Sequence, residues 1–170
     1  MDFIHPLANE YAAQYSNATP AYLKEVYEST LANHPHADMQ SSWTQGGFLS
    51  LISKLLQPKY ILELGTFSGF SAMCLAEGLV HDGQLHTLEL REPDGINAQN
   101  NINHSPHKDK IKIHVGDAGE ILQQLTAPWD IVFIDADKKN YKNYFLKSLE
   151  LLEKDGIIIV DNTLWKGKVA

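Results

Sequence analysis

The chain has 170 residues, 44% hydrophobic and 21% charged, which suits a soluble globular domain with one good core and leaves too little for two. Its formal charge of -7 argues against nucleic acid or anionic membrane as a main partner, because both reward a basic face, and the short basic run 138–142 does not change that. The single cysteine, Cys74, rules out an internal disulfide and reads as a buried small hydrophobe, no stretch approaches a membrane span, and Met1 to Pro6 lacks a signal-peptide pattern, so a cytoplasmic location is expected.

Residues 1–58 read as helical. Thr19 to His34 has Thr19 as a plausible N-cap and Pro20 at the first helical position, and Leu23, Val26, Tyr27, Thr30 and Leu31 form the stripe of an amphipathic helix. That stripe must pack on the main sheet or on a second copy of the chain, which makes a homodimer one expectation. A further helix is expected over Thr44 to Leu56, ending near Pro58.

From Tyr60 strands and helices alternate: YILEL, a helix from about Phe70, QLHTLEL, a weak helix near Asn97, KIKIHVG, a helix from about Ala118, DIVFID, a helix from about Tyr141, and GIIIVD. Five strands with helical crossovers imply an α/β fold, a Rossmann-like doubly wound parallel sheet with helices on both faces. Residues 59–170 would form this core, 1–58 its N-terminal helical cap, and 1–170 one domain. In REPDGINAQNN, Pro93 and Gly95 stand where the helix should begin and are expected to loosen it.

The first strand runs into ILELGTFSGFS, where Gly65 and Gly69 permit a tight turn and close approach of a ligand. The pattern is E-x-G-x-x-x-G, without the G-x-G-x-x-G that cradles a diphosphate, which disfavours an NAD-dependent dehydrogenase. Glu63 would repel a diphosphate and suits a cofactor with positive charge, an ammonium or a sulfonium. Glu89 ends the second strand, where a carboxylate can accept hydrogen bonds from ribose hydroxyls. A nucleoside without phosphates fits both.

Two later strands run out into Asp135, Asp137 and Lys138, and into Asp161 and Asn162, beyond the carboxyl ends where open α/β sheets bind ligands. This is a metal-site pattern. Asp135, Asp161 and Asn162 offer only oxygens, which suits Mg²⁺, Mn²⁺ or Ca²⁺ and disfavours zinc. The eight histidines do not compete; His104 and His107 flank a proline and are expected to be solvated.

With these motifs in this order, Met39 to Lys166 resembles the class I methyltransferases that use S-adenosylmethionine, and among them the cation-dependent O-methyltransferases of the caffeoyl-CoA and catechol type. The resemblance implies transfer of a methyl group from S-adenosylmethionine to one hydroxyl of a catechol-like small molecule. It implies Met39 and Ser41 flanking the cofactor, Glu63, Gly65 and Ser71 at its methionine end, Glu89 at its ribose, Asp117 and Ala118 beside its adenine, and Asp135 near both cofactor and cation. The triad that matches Asp135, Asp161 and Asn162 holds the divalent cation in that family, and Lys138 matches the lysine that takes the hydroxyl proton. A lysine acts as a base only after losing its own proton, which nearby positive charge promotes.

Some roles stay open on residue chemistry alone. Ser71 could begin a helix and Gly69 could be a turn residue; Asp137 has no firm role; Trp165 could wall a planar substrate or belong to the core. The family carries two more strands after the fifth, so the C-terminal part is expected to be missing here, with an uncovered sheet edge and an incomplete substrate pocket. A non-catalytic S-adenosylmethionine-binding protein, or a methyltransferase of another acceptor class, is the alternative.

Overall fold

Strand register sets the position of everything else. The structure, a computed structural model, describes residues 5–15, 20–126 and 128–164, so Thr19 and Trp165 lie outside the described residues. Strands β1 (Tyr60–Leu64), β2 (Gln84–Glu89), β3 (Ile111–Val115), β4 (Trp129–Ile134) and β5 (Leu152–Val160) form one parallel sheet in the order β3-β2-β1-β4-β5. The chain builds outward from β1 to β3, then returns to place β4 on the other side of β1. That reversal leaves a crevice at the carboxyl ends of β1 and β4.

The helices are α1 (Pro6–Gln14), α2 (Ala21–Asn33), α3 (Trp43–Leu56), α4 (Phe70–Ala76), α5 (Glu92–Asn103), α6 (Ala118–Ile121) and α7 (Tyr141–Leu151). Alternate residues of each strand feed two cores. On one face Ile61, Leu85, Ile131 and Phe133 pack with Leu23 of α2, Leu49 of α3, and Phe70 and Met73 of α4. On the other, Leu62, Leu64, Val132 and Ile134 pack with Leu122 and with Tyr144 of α7. Apolar burial on both faces explains why β1 and β4 read as continuous hydrophobic runs. Cys74 is buried in the first core.

Three expectations are refined. The α2 stripe packs inside the chain, since Leu23, Val26 and Thr30 are buried and α2 lies on α4, while Leu31 is exposed. That removes the stripe as an argument for a homodimer. The helix around Asn97 is not loosened: α5 runs twelve residues because Pro93 falls in its first turn, where no intrahelical N–H bond is lost. His107 is not simply solvated; its Nε2 lies 3.3 Å from Glu77 Oε1, and Glu77 also accepts from Tyr22 and Lys54, which clips α2 and α3 to the end of α4. Hydrogen bonds from His107, Tyr22 and Lys54 hold the Glu77 carboxyl down to about 2. Among the described residues no helix is long and apolar enough to cross a membrane.

Candidate functional site

A cavity of about 490 Å³ opens at the crevice. That is a usual size for a small-molecule site. Segment 38–41 forms one wall and turn 65–68 another, with Met39, Ser41 and Gly65 among the lining residues. Ser71 at the start of α4, Glu89 at the end of β2, and Asp117 and Ala118 at the start of α6 complete this half. Gly65 has φ 104°, and a Cβ there would meet the Asp135 carbonyl oxygen at 2.4 Å. The turn can therefore pass beneath the end of β4 only without a side chain.

Glu89 is held by backbone: Oε2 accepts from Phe67 N at 2.7 Å and Oε1 from Arg91 N at 2.9 Å. A carboxylate offers about four lone-pair positions, so two remain to receive hydroxyls. Asp117 has a local duty as well, since its Oδ1 caps α6 through Glu120 N at 3.1 Å.

Glu63 is set back from these lining residues. It is fully buried and lies under the cavity floor, outside the lining residues. Its Oε2 accepts from the Thr87 hydroxyl at 2.5 Å, and Thr87 meets Thr66, which does line the cavity, at 2.6 Å. No hydrogen bond of ordinary geometry reaches Oε1. Burial pushes the carboxyl up to about 8, against the pull of Ser71 and Thr87. A carboxyl in this state ionises readily only when a positive charge settles nearby. That fits a sulfonium- or ammonium-bearing ligand.

One prediction follows for the ligand-free protein. Below the ordinary value of 4.5 Glu63 is protonated in both folded and unfolded chains; between 4.5 and about 8 the unfolded chain ionises first, so stability falls as pH rises. Glu63→Gln should remove this slope and leave the variant more stable than the parent at pH 8.5, by roughly 4 to 5 kcal/mol. Urea midpoints from pH 5 to 9 measure it; parallel curves would refute the burial argument.

The other half of the cavity is acidic and carries the lysine. Asp135 follows β4, with its N–H on Leu64 O at 2.8 Å, and Asp161 follows β5, with its N–H on Ile134 O at 3.0 Å. Parallel pairing of β4 and β5 thus sets the two carboxylates side by side, and Asn162 follows with φ 53°. Burial, and then the charge of Asp161, raise the Asp135 carboxyl to about 6, while Lys138 pulls it down. Lys138 Nζ donates to Asp135 Oδ1 at 3.1 Å and also to the Tyr141 hydroxyl. Asp135, Lys138 and Asn162 line the cavity, whereas Asp161 stands just behind. Among the described residues no three His, Cys, Asp or Glu side chains form a group that could hold a metal ion.

Asp137 gains a structural account: its Oδ1 accepts from Tyr144 at 2.7 Å and its Oδ2 from Asn140 at 2.9 Å, which ties the 3-10 turn at Lys138–Asn140 to α7. Sequence reasoning missed Gln40, Gln45, Phe67, Arg91 and Tyr141. Gln40 stands between Met39 and Ser41, and Arg91 lies two residues after Glu89, the one signal that could have found them. Gln45 touches Asp161 across a separation of 116 residues, which no local pattern reveals.

The O-methyltransferase family model matches residues 13–170. Caffeoyl-CoA O-methyltransferase 1 of Eucalyptus globulus is 36% identical over 155 residues, covering 88% of this chain and 63% of that protein. The catechol O-methyltransferase of Niastella koreensis is 41% identical over 129 residues, covering 74% and 58%. The chain therefore spans less than two thirds of either relative's length. Among solved structures, an O-methyltransferase from Bacillus cereus in complex with SAH superposes with TM-score 0.88 at 34% identity, covering 96% of this chain and 76% of that one. The O-methyltransferase TomG from Streptomyces achromogenes, in complex with SAM, gives 0.89 at 31%, covering 96% and 74%. With a doubly wound sheet, a cofactor-sized crevice and a family match over nearly its whole length, the chain belongs to the O-methyltransferase family.

Proposed function

We propose that the protein moves a methyl group from S-adenosylmethionine to one hydroxyl of a catechol-like small molecule, with a divalent cation at Asp135, Asp161 and Asn162. The observation that carries this reading is convergence: Gly65, Ser71 and Glu89 share one cavity with Asp135, Lys138 and Asn162. On this reading a sulfonium donor site and an oxygen-donor site share the cavity. The relatives' names, caffeoyl-CoA and catechol O-methyltransferase, support a vicinal-diol acceptor.

The residues fit a hard cation. Burial, and then the charge of neighbouring Asp161, raise the Asp135 carboxyl, a cost that a bound Mg²⁺, Mn²⁺ or Ca²⁺ would relieve. When bound, such an ion lowers the pKa of a coordinated hydroxyl and fixes the two diol oxygens. The chain's own groups do the rest. Glu89 orients the ribose, Glu63 balances positive charge from below, and the wall of 38–41 with turn 65–68 keeps water from the donor. Lys138, which lines the cavity with its Nζ beside Asp135, would act at Nζ as the base: having given its own proton to solvent, the neutral amine would take the hydroxyl proton. The nucleophile must sit about 3 Å from the methyl carbon and in line with the leaving sulfur, a constraint that rigid strand-end residues satisfy well.

The test is transfer of labelled methyl from S-adenosylmethionine to a panel of catechols and monophenols. Single O-methylation of diols, with monophenols unlabelled, is expected. Equal labelling of monophenols, or none of either while S-adenosylhomocysteine binds, contradicts the acceptor class.

A further inference from the structure

We infer that Gln45 is a positioning residue that couples the cofactor wall to the cation site, so that occupancy of either site strengthens the other. The inference rests on the reading of Asp135, Asp161 and Asn162 as cation ligands.

Gln45 lies in the first turn of α3, and its Nε2 donates to Asp161 Oδ2 at 2.9 Å. The other oxygen, Oδ1, accepts from Asn162 N at 2.6 Å. One of these donors belongs to the same turn as Asp161 and moves with it. Among the described residues Gln45 is therefore the group that fixes the Asp161 carboxylate relative to the remainder of the site. Because a carboxylate has about four lone-pair positions, both bonds leave room for a ligand.

Upstream, the same turn is tied to the cofactor wall. Ser42 Oγ accepts from Gln45 N at 3.2 Å and Ser42 O from Gly46 N at 2.9 Å, directly after the cavity-lining segment 38–41. Within that segment Gln40 Oε1 accepts from Ser68 Oγ at 2.6 Å, and Gln40 Nε2 donates to Tyr27 O at 3.1 Å. The wall is thus clipped to the glycine turn on one side and, through Ser42 and Gln45, to Asp161 on the other. Little slack exists, since a Cβ at Gly46 would meet the buried Phe70 ring at 2.6 Å, so α3 sits hard on α4. A ligand that draws 38–41 inward biases the Asp161 carboxylate through rigid contacts, and linkage makes the effect reciprocal.

The experiment titrates Mn²⁺ into the full chain by calorimetry, with and without saturating S-adenosylhomocysteine, for wild type, Gln45→Met, Gln45→Ala and Asp161→Ala. In wild type the nucleoside should tighten Mn²⁺ by about fivefold, and Mn²⁺ should tighten the nucleoside equally. Gln45→Met, which keeps length and helix propensity, should weaken Mn²⁺ about tenfold and bring the coupling factor to one. Nucleoside affinity without metal and the thermal midpoint should stay at wild-type values. A purely structural hydrogen bond would lower the midpoint and leave coupling intact; that result, or wild-type Mn²⁺ affinity in both Gln45 variants, overturns the inference. Mn²⁺ binding by Asp161→Ala as tight as wild type overturns the ligand assignment instead.

Discussion

Gly65→Ala is expected to cost the protein its cofactor site. The backbone at φ 104° is a region that side chains rarely enter, and the added Cβ would stand 2.4 Å from the carbonyl oxygen of Asp135. Neither partner can step aside, because the obstacle is backbone held by the β1–β4 ladder. Strain and overpacking together should lower stability by about 3 kcal/mol. S-adenosylhomocysteine affinity should fall at least about a hundredfold, since relief of the clash displaces the turn or the strand end that carries Asp135. Calorimetry and urea unfolding on the same preparation measure both. Wild-type affinity with unchanged stability would show that the turn is not constrained as described.

Lys138→Met should leave binding intact and remove turnover. The amine lines the cavity and rests between Asp135 Oδ1 and the Tyr141 hydroxyl, within reach of a hydroxyl beside the strand ends. Loss of a general base lowers kcat by about 10²- to 10⁴-fold. Methionine keeps the aliphatic stem, so nucleoside affinity should change by less than about threefold. A kcat within tenfold of wild type would assign proton removal to another group. A raised KM at constant kcat would make Lys138 a binding residue only.

The elements that carry the site were legible because their signals are local. Four apolar residues in a row, as in Ile131 to Ile134, mark a strand covered on both faces, and the polar residue that follows must then stand at its carboxyl end. Gly65 was legible for a similar reason, as a turn glycine between a strand and a helix. What escaped was set by packing across the chain. Glu63 alternates with Leu62 and Leu64, so strand period places it on the α4 side of the sheet, but only the closed Thr87–Thr66 contacts put it beneath the floor. The effect of Pro93 depends on its falling in the first turn of α5, a boundary that composition locates poorly. His107 looked solvated until α2, α3 and α4 were brought together around Glu77.

Cation-dependent methyl transfer is tested by metal removal. Protein stripped with a chelator is assayed for O-methylation of a catechol by S-adenosylmethionine, then assayed again after Mg²⁺ is restored, with Asp161→Ala beside wild type. Activity should vanish on stripping and return with Mg²⁺ in wild type, and with Mg²⁺ restored the variant should stay at least about a thousandfold below wild type. Methyl transfer that survives both chelation and the substitution would contradict the account.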